Sequence, residues 1–172
     1  IDFEAVNVGD EIKYSAIFIS DNTSDSHCLR CDWDKMDSFI DSMNAYYVMA
    51  IDFERHYENG NLYYSVIYAD STYGNGGSYG YKLRSGLDKN TFLNDVSSFS
   101  ALGYNLIDVE IDHFGEKYSG LYTTETANVI FYWELDYADL ISNASTAGSN
   151  GYYPSDIEIH EINGVKKYNV IL

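Results

Sequence analysis

A chain of 172 residues with 45% hydrophobic content is long enough for one sizeable core and short for two. Its 10 basic and 27 acidic side chains, a formal net charge of −17, repel a phosphate backbone and leave no basic stripe to track one, which excludes nucleic acid as a partner. No apolar run approaches the ~18 residues that a membrane-spanning helix needs.

The chain begins at Ile1 rather than Met, the start expected of a secreted, extracellular protein whose signal segment has been removed. Asp2-Phe3-Glu4 opens an alternating strand, Gly9 marks a turn and Tyr14-Ser15-Ala16-Ile17-Phe18 returns, a first hairpin over about 1–19. Asn22-Thr23-Ser24 is an N-glycosylation acceptor triplet, as is Asn143-Ala144-Ser145 further on, so Asn22 and Asn143 are the candidate glycan sites. The segment from Asp21 to Asp25 with Asp32 mimics a calcium loop, but Ser26 stands where glycine is needed, and a solvated acidic loop is the better reading. Cys28 and Cys31 are the only cysteines, and in a secreted chain a lone pair is read as a disulfide. Free thiols stay open, as does a redox or metal role, because Cys28-Leu29-Arg30-Cys31 lies just ahead of a predicted helix whose dipole favours a thiolate. Zinc would find only His27 nearby.

From Trp33, the residues Met36, Phe39, Ile40, Met43 and Tyr47 keep helical spacing, which predicts a helix over about 34–47 with Asp32 or Asp34 as its cap. A second hairpin over about 48–69 joins Asp52-Phe53-Glu54 to Tyr64-Ser65-Val66-Ile67-Tyr68 through Asn59-Gly60, a strong type I′ signal. The Gly/Tyr-rich loop that follows contains Gly76-Gly77-Ser78-Tyr79-Gly80, a formal match to the nucleophile elbow, with Asp108 or Asp112 and His160 in the right order behind it. That elbow needs a strand leading in and a helix leading out, and no helical period follows here. A helix over about 88–102 carries Phe92, Val96, Phe99 and Leu102 on one stripe and stops at Gly103. The third hairpin, about 104–123, joins Asp108-Val109-Glu110 to Tyr118-Ser119-Gly120-Leu121-Tyr122 past Gly115. A last helix over about 136–147 ends at Gly148, and the fourth hairpin, about 153–172, joins Asp156-Ile157-Glu158 to Tyr168-Asn169-Val170-Ile171-Leu172 past Gly164.

Four acid-Φ-acid triplets thus recur, 12, 12, 10 and 12 residues ahead of a tyrosine, and the copies begin 50, 56 and 48 residues apart. The expected fold is α+β: residues 1–172 as a single domain of four quasi-repeats, an eight-stranded antiparallel sheet curled into a half-barrel or barrel, with about three helices on one side. The string Gly103-Tyr104-Asn105-Leu106-Ile107-Asp108-Val109-Glu110 with Gly115-Glu116-Lys117-Tyr118 resembles the repeat of bacterial tandem-repeat domains, similar to those of the N-terminal, non-peptidase half of the fungal polyglycine hydrolases. That resemblance implies secretion and a half-barrel-like sheet. In those hydrolases a Ser-x-x-Lys motif in a separate domain does the chemistry; no Ser-x-x-Lys occurs here, so the resemblance transfers a scaffold and no enzyme activity.

The paired carboxylates Asp52 with Glu54, and Asp108 with Glu110 and Asp112, are of a type that could serve acid/base hydrolysis. A pair that recurs in every repeat is better read as structural, bonded to tyrosine hydroxyls, backbone amides or a cation such as Arg55. Glu54 with His56 and Glu158 with His160 place a carboxylate and an imidazole on one strand face, and would make a metal site only if the two strands met; a metal is not expected. Eighteen tyrosines remain to be explained. A tyrosine offers a flat apolar face and a polar tip, so Tyr14, Tyr64, Tyr68, Tyr118 and Tyr122 are the candidate contacts of a concavity on the sheet face turned from the helices, with plain core packing as the alternative. The expected function is a secreted, non-enzymatic binding protein for a hydrophobic or planar small molecule such as a lipid, polyene or pigment, with no cofactor identifiable beyond that apolar ligand. A carbohydrate- or peptide-recognition module, or a self-associating structural protein forming homo-oligomers, are the alternatives.

Overall fold

The computed structural model describes residues 2–8, 11–17, 26–32, 36, 48–58, 61–70, 80–111, 116–124 and 128–172, and of residues 2–8, 11–17, 26–30, 48–49, 58 and 69–70 it describes the backbone alone. In chain order these form β1 (Asp2–Val8), β2 (Glu11–Ile17), β3 (Ser26–Cys31), β4 (Val48–Glu58), β5 (Asn61–Asp70), β6 (Tyr81–Leu87), α1 (Lys89–Ala101), β7 (Asn105–Ile111), β8 (Tyr118–Thr123), β9 (Phe131–Leu135), α2 (Tyr137–Ser149), β10 (Asp156–Ile162) and β11 (Val165–Ile171). The chain divides into two compact units, Ile1–Tyr81 and Lys82–Leu172.

The α+β class and the four antiparallel hairpins are present, but one continuous curled sheet of eight strands is not. The described strands form four sheets, ordered β1-β2, β3-β5-β4, β6-β8-β7 and β10-β11-β9. Each three-stranded sheet is a hairpin completed by a strand that precedes it in sequence, β3, β6 or β9, laid against the second strand of that hairpin. Two helices are described, α1 and α2. The helix expected over 34–47 lies outside the described residues except for Met36, which is helical and fully buried, its amide donating to Asp32 O at 3.0 Å.

All four hairpins share one register. Asp2 pairs with Ile17, Asp52 with Ile67, Asp108 with Leu121 and Asp156 with Ile171, so the partner always stands three residues beyond the tyrosine. In the third hairpin Tyr118 still pairs with Ile111, as Tyr64 does with Arg55, so the shorter Asp-to-Tyr spacing is absorbed in the turn. In β4 and β7 a bulge falls just ahead of the triplet, between Ala50 and Asp52 and between Leu106 and Asp108. One extra residue there resets the alternation, so the side-chain period begins afresh at the aspartate.

Local chemistry also explains the helices. The Asp88 carboxylate accepts the amide of Thr91 at 3.0 Å and its hydroxyl at 2.8 Å, capping α1. These bonds, with the backbone bond first in weight, hold the Asp88 carboxyl below its ordinary range. Asp136 holds the same position ahead of α2 but turns its carboxylate to Lys167 on β11, 2.7 Å away. The +4 amide bonds back to the cap carbonyl in all three places: Met36 to Asp32, Phe92 to Asp88 and Leu140 to Asp136. Leu102, expected on the apolar stripe of α1, is the C-cap residue and faces solvent. The expected stop of the last helix at Gly148 is corrected to Gly151, because α2 runs to Ser149 and the amide of Tyr152 closes the end on Ala147 O.

The core of the second unit has two parts. Phe92, Leu106, Val109, Tyr118, Tyr122 and Ile171 form one cluster, while Ala147, Val170 and Leu172 form another beneath α2. Gly120 stands where the other hairpins place Ala16, Val66 and Val170, and a methyl group there would meet Leu106 Cδ1 and Phe92 Cε2 at 2.9 Å. Backbone and aromatic rings are in contact at this point, and any side chain forces one of them to move. Gly120→Ala is expected to lower the unfolding free energy by about 1–3 kcal/mol, read from denaturant midpoints at unchanged m.

Candidate functional site

In the second unit a set of polar groups gathers where the leading strand ends ahead of its helix. Along β9 and β11, Tyr168 pairs with Leu135 and Val170 with Tyr132, three steps on one strand against two on the other. The extra residue is accommodated with Glu134 in the left-handed region at φ 46°, a conformation a non-glycine residue holds only when its surroundings enforce it. The enforcing group is Asn169, whose Oδ1 accepts the Glu134 amide at 2.9 Å. With that oxygen committed, Asn169 Nδ2 faces His160 and donates to Nδ1 at 3.1 Å, which puts the proton of a neutral ring on Nε2. Asn169 is fully buried and His160 nearly so. The Glu134 carboxylate takes Lys89 Nζ at 2.6 Å, and that ammonium also lies 5.2 Å from the centre of the Trp133 ring.

The preceding repeat uses the same device with different residues. Gly86 lies two residues ahead of the cap Asp88, as Glu134 lies two ahead of Asp136, and it too is left-handed at φ 68°. Its amide donates to Ser119 Oγ at 3.4 Å, and Ser119 follows Tyr118 as Asn169 follows Tyr168. Ser85 Oγ lies 2.9 Å from the same hydroxyl.

The bulge recurs in β3, where Cys28 pairs with Val66 and Cys31 with Tyr64. Positions three apart on a regular strand face opposite ways; this bulge instead sets both cysteines opposite residues that share a face. Cys31 is disulfide-bonded, and Cys28 is the one other cysteine of the chain.

Of the carboxylates singled out from the sequence, Asp52, Asp156 and Glu158 are half-buried and three lie deeper. Glu54, Asp108 and Glu110 are buried, and Asp156 Oδ2 accepts the backbone amide of Val109 at 3.1 Å, tying the fourth hairpin to the third. Arg55 donates to the Tyr57 hydroxyl at 3.1 Å. Glu54 with His56 and Glu158 with His160 fall in different units. Among the described residues no group of three or more His, Cys, Asp or Glu side chains is placed to hold a metal ion. The string from Gly76 to Tyr79, Asp112, and Asn22 with its acidic loop lie outside the described residues, while Asn143 stands half-buried within α2.

Four of the five candidate tyrosines are buried: Tyr64, Tyr68, Tyr118 and Tyr122. The side chain of Tyr14 lies outside the described residues. Tyr118 lies against Phe92 and Trp133 with ring centres 5.7 and 5.0 Å apart, and Tyr122 meets Phe99 edge-on at 4.9 Å. Every residue of β8 is buried, so neither of its faces is left open as a concavity. Burial pushes the phenols of Tyr68 and Tyr122 well above the usual tyrosine range, with lesser contributions from Tyr81 on the first and Asp95 on the second. Sequence reasoning missed Asn169, Ser119 and Glu134. The available signal was the polar residue behind every repeat tyrosine, Ser15, Ser65, Ser119 and Asn169.

Asn169→Ala removes the acceptor of a strained amide and is expected to cost about 1–3 kcal/mol in denaturant unfolding, with Asn169→Ser recovering part of it as Ser119 does next door. The tyrosines set an alkaline limit. A phenol that ionises later in the folded than in the unfolded chain contributes its full stability below pH ~10 and loses it as pH rises beyond. Phenolate absorbance is therefore expected to show a class of tyrosines that ionises only together with loss of tertiary circular dichroism.

Comparison with known proteins returns no matching family model, no matching curated protein and no matching solved structure, so a functional reading rests on the residues themselves.

Proposed function

We propose that this chain is a secreted, non-enzymatic structural module that works by associating with its own kind. The distribution of exposed apolar side chains carries the reading. Among the described residues, eight large apolar side chains are exposed, and six of them, Tyr137, Ile141, Tyr153, Ile157, Ile159 and Val165, fall within the fourth repeat. Scattered apolar residues need no explanation, but six in one repeat, where the neighbouring third repeat exposes Leu102 alone among its described residues, mark an interaction surface. The candidate tyrosines favour the same reading, since Tyr64, Tyr68, Tyr118 and Tyr122 are buried in the core. The resemblance to secreted tandem repeats supports a scaffold without chemistry of its own.

A net charge of −17 opposes association between copies, and salt screens that repulsion. Light scattering is expected to show oligomers that grow with protein concentration and with ionic strength. A monomer at every concentration and salt level sinks the proposal. Lipid or a chromophore extracted from material of natural source, or glycan or peptide binding by such a monomer, would put the small-molecule carrier or the recognition module in its place.

A further inference from the structure

The bond between Asn169 and His160 holds in one protonation state of the ring. Around Asn169 donors and acceptors are matched: the Glu134 amide gives to Oδ1 at 2.9 Å, and Nδ2 gives to His160 Nδ1 at 3.1 Å. A proton added to the imidazole makes both of its nitrogens donors. Nδ1–H then stands against Nδ2–H, and the one acceptor left in this group of four is Oδ1, which the Glu134 amide already uses. Turning the side-chain amide over gives that oxygen to the imidazolium and leaves the Glu134 amide facing an NH2 group. Asn169 is 0% exposed, so water replaces the lost acceptor only if the strand moves.

What the Glu134 amide secures is a junction between repeats. Glu134 is left-handed at φ 46°, its carboxylate takes Lys89 Nζ at 2.6 Å, and its neighbour Trp133 lies on Phe92 with ring centres 5.8 Å apart. Lys89 and Phe92 both belong to α1, so the end of β9 is where the fourth repeat grips the helix of the third. Losing the bond that enforces the left-handed residue loosens that grip.

Charged groups reach this region from every element packed on β10. On β10 itself Asp156 and Glu158 alternate onto the face of His160. Opposite His160 on β11 stands Lys167, whose ammonium is held by Asp136 at 2.7 Å; β9 brings Glu134, paired with Lys89; β7 brings the buried Asp108 and Glu110. α2, which carries Asp139, packs on the other face of the sheet over Val170. Of these side-chain types imidazole is the one that ordinarily changes charge between about pH 8 and about pH 5.

We infer that His160 is an acid-operated latch: as pH falls through the histidine range, protonation of its ring takes Asn169 from Glu134 and opens the end of β9, releasing Lys89 and Trp133 from the junction of the third and fourth repeats. The open form binds the proton and the closed form does not, so the closed form is fully present above the ordinary histidine value of about 6.5 and opening grows as pH falls below it. Every group involved lies within the second unit of one chain, so the latch stands apart from the self-association reading. The third repeat provides an internal comparison. Its Gly86 amide ends on the Ser119 hydroxyl, whose other partner is the Ser85 hydroxyl, and hydroxyls gain no proton in this range.

Amide hydrogen exchange followed by NMR from about pH 8 to about pH 5 tests the latch on the wild-type chain. The protection factor of the Glu134 amide is expected to fall up to about tenfold per pH unit below the histidine range, in step with titration of the His160 ring, while that of Gly86 stays constant. In His160→Gln, whose side-chain oxygen accepts from Asn169 but takes up no proton, Glu134 is expected to stay protected throughout. A Glu134 protection factor that does not change with pH, or one that still falls in His160→Gln, overturns the inference. So does parallel loss at Glu134 and Gly86, which is acid unfolding of the unit, and so does a wild-type ring that carries its proton on Nδ1 at about pH 8. If His160→Gln does not fold, the wild-type titration decides: a His160 ring and a Glu134 amide that respond at different pH overturn the latch.

Discussion

The hydrogen bond from the left-handed residue of a leading strand to the polar side chain behind the repeat tyrosine is the constraint on which the second unit of this protein turns. It fixes Glu134 through Asn169 and Gly86 through Ser119. Two residues later comes the aspartate that starts the helix, so a single buried acceptor sets where the strand stops pairing and where the helix begins. An unsatisfied amide there would carry a full desolvation penalty, which makes the polar residue a requirement of the fold. The left-handed position tolerates glycine without strain; glutamate is held there by two further partners, Asn169 and Lys89.

The aromatic content follows from the same geometry. A small three-stranded sheet with one helix must bury a large area with few residues, and aromatic rings supply area at low entropy cost. Phe92 contacts Tyr118, Phe131 and Trp133, and so belongs at once to its own repeat and to the next. Cohesion between consecutive repeats in this unit runs through that ring and the Asp156 carboxylate, one apolar and one polar link across the same boundary.

The hairpins were legible in the sequence because two kinds of signal coincide there: alternation along Asp52 to His56, and a tyrosine at fixed distance. The helices near 88–102 and 136–147 were legible from their stripes and caps. The leading strands were not, since β9 reads Phe-Tyr-Trp-Glu-Leu, and a bulge within five residues erases the period of two that would reveal it. The roles of the tyrosines were ambiguous for a different reason. A ring on an alternating strand has the same pattern whether it lines a cleft or a core, and only the position of α1 over β8 distinguishes them for Tyr118 and Tyr122. The division into several sheets was hidden too, because register within a hairpin is local while pairing between hairpins is not.

The missing side chain at Gly120 says how far these repeats can diverge. Beside it stand Phe92 and, over Tyr122, Phe99; at the corresponding places of the fourth repeat Leu140 and Ala147 stand over Val170. Bulk lost from the helix is restored on the strand, so the two elements have drifted as a matched set. A helix transplanted without its strand would meet either a collision or a void, and the heritable building block of this protein is therefore the whole repeat, with its mutations coupled in pairs across the helix–sheet boundary.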